Sequence, residues 1–139
     1  MRRPTPYFID TSAWLALAIV GDPYHDRACA AWQTLVTEGS KAFTSVPVII
    51  ETFTFLDRNT TRQTALQWQA ALGHVRRLRI LECSLANMDR AWSWFLRKEL
   101  HKLSAVDATS FTLMQQQRIA RAFAFDVHFA MGGFTLVEA

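Results

Sequence analysis

Residues 7–14 read YFIDTSAW. Three apolar side chains, Tyr7, Phe8 and Ile9, run into a bare Asp10. Two hydroxyls follow, and the chain turns apolar again at Ala13 and Trp14. A short apolar run that gives way to helical spacing reads as a buried strand feeding a helix. The same alternation continues to the end of the chain. Ala13 to Val20 reads as a short helix closed by Gly21-Asp22-Pro23, and His25 to Glu38 as a second helix stopped by Gly39. Lys41 to Ser45 is a strand, and Pro47 opens a helix that runs through Glu51 to about Leu56. Thr61 to Leu78 is predicted as a longer amphipathic helix, Arg79 to Cys83 as a strand, and Ala86 to Leu100 and Ser104 to Gln117 as helices. Ala122 to Phe125 and Phe134 to Val137 complete the strands. Strands alternating with helices predict an α/β fold with a mostly parallel sheet of four to five strands and helices on both faces.

The bulk properties agree with one domain over residues 1–139. The chain is 50% hydrophobic and 19% charged, which supports a sizeable core and argues against disorder. No apolar run is long enough for a transmembrane helix. Arg2 and Arg3 precede the first apolar run, but Asp10 interrupts it, so it makes a poor signal sequence. Cys29 and Cys83 are isolated, without metal or redox spacing, which suggests free thiols in a reducing, cytoplasmic setting. A net charge of +3 permits nucleic-acid binding without requiring it.

In parallel α/β sheets, ligands gather at the carboxyl ends of the strands. Asp10 and Asp126 fall there, each directly after an apolar run, in YFID and FAFD. Glu51, in PVIIETFTFL, and Asp107, in LSAVDATSF, also interrupt apolar patterns. Burying an unpaired charge is costly. If the four acids converge, their mutual repulsion opposes folding, and a hard divalent cation such as Mg²⁺ or Mn²⁺ reverses that cost. Such a cation activates water and stabilises charge on phosphate oxygen. Plainer roles stand beside this one. Asp10 suits a helix N-cap, Asp107 sits at capping-box spacing from Ser104, Glu51 could lie on an exposed helix stripe, and Asp126 could start a turn or pair with His128.

The segments FIDTSAWLAL, PVIIETFTFL, LSAVDATSFTLM and AFAFDVHFAMGGFTLV, taken in order, resemble the PIN-domain nucleases, and among them the VapC-type toxins of bacterial toxin–antitoxin modules. The likeness spans nearly the whole chain. It implies a three-layer α/β/α sandwich whose acids, here Asp10, Glu51, Asp107 and Asp126, hold one or two Mg²⁺ or Mn²⁺ ions. Thr11 and Ser12 match hydroxyls that follow the first acid, where they orient it or a nearby water; capping is an equal explanation. The resemblance further implies cleavage of single-stranded RNA, whether tRNA, rRNA or mRNA, together with a homodimer and a cognate antitoxin that blocks the site. A solitary RNA-processing enzyme and a non-catalytic RNA- or protein-binding relative are the alternatives. Receiver and haloacid-dehalogenase-like folds also place an Asp after the first strand. The second of these wants another Asp where Ser12 stands, and the receiver's further residues cannot be placed.

No Ser-His-Asp set or HExxH zinc signature is present. His128, two residues past Asp126, would share its face on a strand and reads more readily as a structural histidine. Basic residues cluster at Arg76, Arg77 and Arg79, at Arg97, Lys98, His101 and Lys102, and at Arg118 and Arg121. The middle cluster leads to Asp107, which makes Arg97, Lys98 and Lys102 the candidate phosphate-binding rim; helix-end cations are the alternative. Trp92 and Trp94 are two apart on a predicted helix, so one should be core and the other exposed.

Overall fold

The computed structural model describes residues 4–137; Met1, Arg2, Arg3, Glu138 and Ala139 lie outside the described residues, including the two arginines weighed above as the head of a signal sequence. Five strands form one sheet: β1 (Tyr7–Ile9), β2 (Ala42–Ser45), β3 (Leu78–Leu81), β4 (Arg121–Phe123) and β5 (Thr135–Leu136). Seven α-helices connect them: α1 (Thr11–Ala18), α2 (His25–Glu38), α3 (Val46–Asn59), α4 (Arg62–Ala71), α5 (Leu85–Ala91), α6 (Ala105–Gln117) and α7 (Val127–Met131). The strand order is β3-β2-β1-β4-β5, and every pairing is parallel. The chain steps outward from β1 to β3, then returns across β1 to begin β4. Crossovers of this kind are right-handed, so the first two connections cover one face and the later ones the other. The reversal makes a switch point between β1 and β4, where an open parallel sheet leaves a crevice at its carboxyl edge.

The central strands β1 and β4 are buried from both sides, whereas β3 and β5 at the edges are partly exposed. Phe8, Ile9, Ala122 and Phe123 are fully inaccessible. Trp14 on α1 packs against Trp32 and Trp68, at ring separations of 6.2 and 5.7 Å, and its indole N–H donates to Thr44 Oγ1 at 3.1 Å. Thr44 in turn donates to the Ile9 carbonyl at 2.9 Å, so this buried hydroxyl in β2 is fully engaged. A second aromatic cluster gathers Trp94, Phe111, Phe129 and Phe134. Among the described residues no helix is long and apolar enough to cross a membrane.

Two predicted helices are shorter than expected. The helix predicted to run to Leu78 ends at Ala71, tightens into a 3₁₀ turn over Leu72–His74, and turns at Arg77, whose φ is 60°. Leu78 then pairs with Ala42 as the first residue of β3, so the ladder outweighs helical periodicity. The helix predicted to run to Leu100 is α-helical only to Ala91 and continues as a 3₁₀ turn over Trp92–Leu96. The tighter turn goes with a buried Trp94, whose N–H reaches Thr112 Oγ1 at 3.2 Å and whose ring meets Phe111 edge-on at 5.0 Å. Trp92 is left half-exposed, as expected for one of the pair. β4 ends at Phe123, two residues before the predicted end, so Ala124 and Phe125 separate the strand from Asp126.

Candidate active site

Asp10 stands one residue past β1 at the switch point. Its backbone N–H continues the ladder to the Phe123 carbonyl at 3.1 Å. Its side chain caps α1: Oδ2 accepts from the Ser12 N–H at 3.1 Å and from the Ser12 hydroxyl at 2.7 Å. The capping role is therefore real, but it uses only one oxygen. Oδ1 is buried and has no hydrogen-bond partner, in a residue only 2% exposed.

The Ser12 hydroxyl also accepts the Phe125 N–H at 2.9 Å, tying the end of β1 to the loop that leads to Asp126. Ser12→Ala removes both contacts. It leaves the Phe125 amide unpaired and Asp10 held only by the backbone N–H of residue 12, and should cost about 1–3 kcal/mol in chemical denaturation. Any activity that depends on Asp10 should fall by about ten- to a hundredfold.

Asp107 lies in the first turn of α6. The cap there is Ser104, whose Oγ accepts the Asp107 N–H at 3.0 Å. Asp126 caps α7 by accepting the His128 N–H at Oδ1, 2.9 Å. Glu51 projects from the middle of α3 and is half-buried. The exposed stripe of α3 belongs instead to Val46, Ile50 and Phe55. Asp10, Glu51, Asp107 and Asp126 all line one open cleft of about 300 Å³, together with Thr11, Ser12, Ser104, Lys102 and His128. Residues from the two ends and the middle of the sequence thus meet at the carboxyl edge of the sheet.

The electrostatics carry the strain that four clustered acids predict. Burial, followed by the charges of Asp10, Asp126 and Glu51, pushes the Asp107 carboxyl up to about 8. Burial lifts Asp10 to about 6 against the opposing hydrogen bonds from Ser12. Their electrostatics make a divalent cation a fitting occupant: the cleft offers hard oxygen donors, and Asp10 Oδ1 is a buried acceptor with no hydrogen-bond donor.

Of the expected basic rim, only Lys102 reaches the cleft, from a residue with φ of 57°. Arg97 lies over the Trp94 ring at 4.4 Å and lines a different groove with Arg90 and Gln116. Lys98 is exposed and is not part of the cleft lining. Arg77 donates to the Gly39 carbonyl at 2.7 Å, and Arg121 holds Glu38 at 3.4 Å, so these two cations serve the fold. His128 also lines the cleft. It occupies the first turn of α7 rather than a strand, and its ring faces Asp126. The spacing FDVH is the available signal, but a helix cap brings residues two apart together as readily as a strand face does.

The chain is similar in sequence and fold to known proteins. Residues 7–133 match the PIN domain family. The chain is 35% identical over 131 residues to the 23S rRNA-specific endonuclease VapC20 of Mycobacterium tuberculosis, covering 94% of this chain and 97% of that one. The crystal structure of the same M. tuberculosis protein, described as a sarcin–ricin loop cleaving toxin, superposes with a TM-score of 0.82 at 33% identity, over 93% of this chain and 96% of that one. VapBC2 from Rickettsia felis, solved with a DNA fragment from its promoter, shares the fold with a TM-score of 0.70 at 12% identity, covering 95% and 97%. By the family match over residues 7–133 and this likeness in sequence, the chain belongs to the PIN-domain family.

Proposed function

We propose that the protein is a divalent-metal-dependent endoribonuclease and the toxin of a type II toxin–antitoxin pair, with ribosomal RNA as the first substrate to test. The observation that supports this reading most is the meeting of Asp10, Glu51, Asp107 and Asp126 in one cleft, in a chain 35% identical to an rRNA endonuclease over nearly its full length. The four acids are the proposed catalytic and metal-holding residues, with Mg²⁺ or Mn²⁺ as the ion. When bound, the ion supplies water activation and neutralises charge on the scissile phosphate.

The remaining work falls to the chain itself. Ser12 fixes the rotamer of Asp10 by holding Oδ2, which leaves Oδ1 without a partner at the cleft. Thr11 stands beside it, with its hydroxyl buried and unpartnered. Lys102 is the cation placed to meet an RNA phosphate at the rim. The proposed substrate is an unpaired strand or a splayed loop, whose bases are free to be read. A cytoplasmic homodimer held in check by an antitoxin completes the proposal, and the half-exposed Trp92 with Phe95 and Leu96 offers apolar surface for either contact.

The test is cleavage of ribosomal RNA fragments by purified protein freed of any bound partner. Cleavage should require added Mg²⁺ or Mn²⁺, stop on chelation, and vanish in Asp10→Asn. Cleavage in excess chelator, or at an undiminished rate in Asp10→Asn, refutes the mechanism.

A further inference from the structure

His128 lies at the edge of the same cleft. Its Nε2 lies 2.6 Å from the carbonyl oxygen of His101. A carbonyl only accepts, so Nε2 carries a proton, and in its neutral form the ring presents a bare lone pair at Nδ1. That nitrogen is buried and makes no hydrogen bond. It nevertheless sits 2.8 Å from Asp126 Oδ1, a contact at ion-pair distance without hydrogen-bond geometry. Two electron-rich atoms this close repel unless a proton or a metal cation lies between or beside them. The oxygen already receives one proton, from the His128 backbone N–H, at 2.9 Å.

Ligand atoms on adjacent vertices of an octahedron with bonds of about 2.1 Å stand about 3 Å apart, close to the separation seen here. One ligand atom each from Asp107, Asp126 and His128 lies within 4.8 Å of the others. Histidines that bind metals usually donate their second N–H to a carbonyl or carboxylate, which fixes the tautomer and aims the free nitrogen. The bond to His101 supplies that arrangement. Asp10 Oδ1, in a side chain almost wholly buried at the same cleft, is a second acceptor lacking a partner.

From this geometry we infer that His128 Nδ1 is a direct ligand of the divalent ion, completing with Asp107 and Asp126 a mixed nitrogen–oxygen site. The inference rests on the reading above that the acids hold a metal. An imidazole adds a donor without adding negative charge to an already crowded cluster. It also biases the site from Mg²⁺, which prefers oxygen, towards Mn²⁺ and later transition ions. Because His128 is bonded to His101, ion binding also anchors the segment that carries Lys102.

Pulsed electron paramagnetic resonance of the Mn²⁺-loaded protein tests this without reference to activity. The wild type should show nitrogen hyperfine coupling from an imidazole, changed in the expected way by ¹⁵N-histidine labelling. His101→Ala, which keeps the backbone carbonyl, should retain the coupling, and His128→Gln should lose it. In His128→Gln, Mn²⁺ affinity should fall about tenfold and Mg²⁺ affinity less. Bound Mn²⁺ without nitrogen coupling in the wild type overturns the role of His128 and leaves the metal reading standing. Coupling that survives in His128→Gln also overturns it. Failure of the wild type to bind Mn²⁺ at all removes both readings. The wild-type spectrum and His101→Ala decide the matter even if His128→Gln does not fold.

Discussion

Asp107→Asn should abolish RNA cleavage and, in the same molecule, stabilise the metal-free fold at neutral pH. The two effects have one cause. Asp107 is buried beside three other acids, and in the folded protein its carboxyl gives up its proton only near pH 8, against an ordinary value of 3.8. Between those limits the folded state holds a proton that the unfolded state has released. A group with a raised folded pKa contributes stability that is complete below its unfolded pKa and is lost as pH rises through the folded one. The metal-free wild type should therefore weaken steadily from about pH 4 to about pH 8. Asp10, raised to about 6, adds to the lower part of that window.

Asparagine has nearly the same shape and no charge to release, so the variant should lose most of the slope. Urea denaturation in excess chelator at about pH 5 and about pH 8 measures this: the wild type should drop between the two and Asp107→Asn should drop much less. Cleavage should fall by up to about a thousandfold, the upper end of the scale seen when one group of a preorganised electrostatic site is removed. A divalent ion should restore wild-type stability at pH 8 and do little for the variant. A variant that still cuts RNA, or that is less stable than wild type in chelator at pH 8, contradicts the assignment of Asp107.

On the proposed reading, such a trade of stability for function explains why the acids stand out in the amino-acid sequence alone. Each one breaks a local rule, a charge where an apolar residue belongs, and such violations concentrate at functional sites. Asp10 and Asp126 are further marked by following apolar strand runs, and the parallel alternation places strand ends together. The mismatches have a different origin. Leu78 sits in a sequence as good for helix as for strand, and only the partner strand at Ala42 decides between them. The break at Trp92 depends on a hole beside Phe111 and Thr112, far along the chain. Arg97 cannot be told from Lys102 as a rim residue by spacing, because a ring beneath a guanidinium is a tertiary fact. The contacts of His128 are tertiary in the same way: its Nε2 meets the carbonyl of His101, 27 positions away.

Phe111→Ala should be among the most destabilising single changes in the core. Phe111 is fully inaccessible and is the hub of the second aromatic cluster: its ring meets Phe129 edge-on at 4.9 Å, Trp94 edge-on at 5.0 Å, and Phe134 at 5.3 Å. Its three neighbours come from the 3₁₀ turn, from α7 and from the approach to β5, so no one of them can move in to fill the space alone. A Phe-to-Ala change that leaves an unrelaxed cavity costs about 3–5 kcal/mol, a large share of the stability of a domain this size. Phe95→Ala provides the contrast. Phe95 is 44% exposed in the same aromatic segment, and its loss should cost about 1 kcal/mol or less. Phe111 also lies one helical turn after Asp107 on α6, so its cluster braces the element that carries the third acid. The variant should thus unfold readily without metal and recover in part when Mn²⁺ is added. An ion at a hundred times its dissociation constant contributes about 2.7 kcal/mol, enough to offset much of the cavity. Equal denaturation midpoints for Phe111→Ala and Phe95→Ala would show that the cluster relaxes around the lost ring and that α6 does not depend on it.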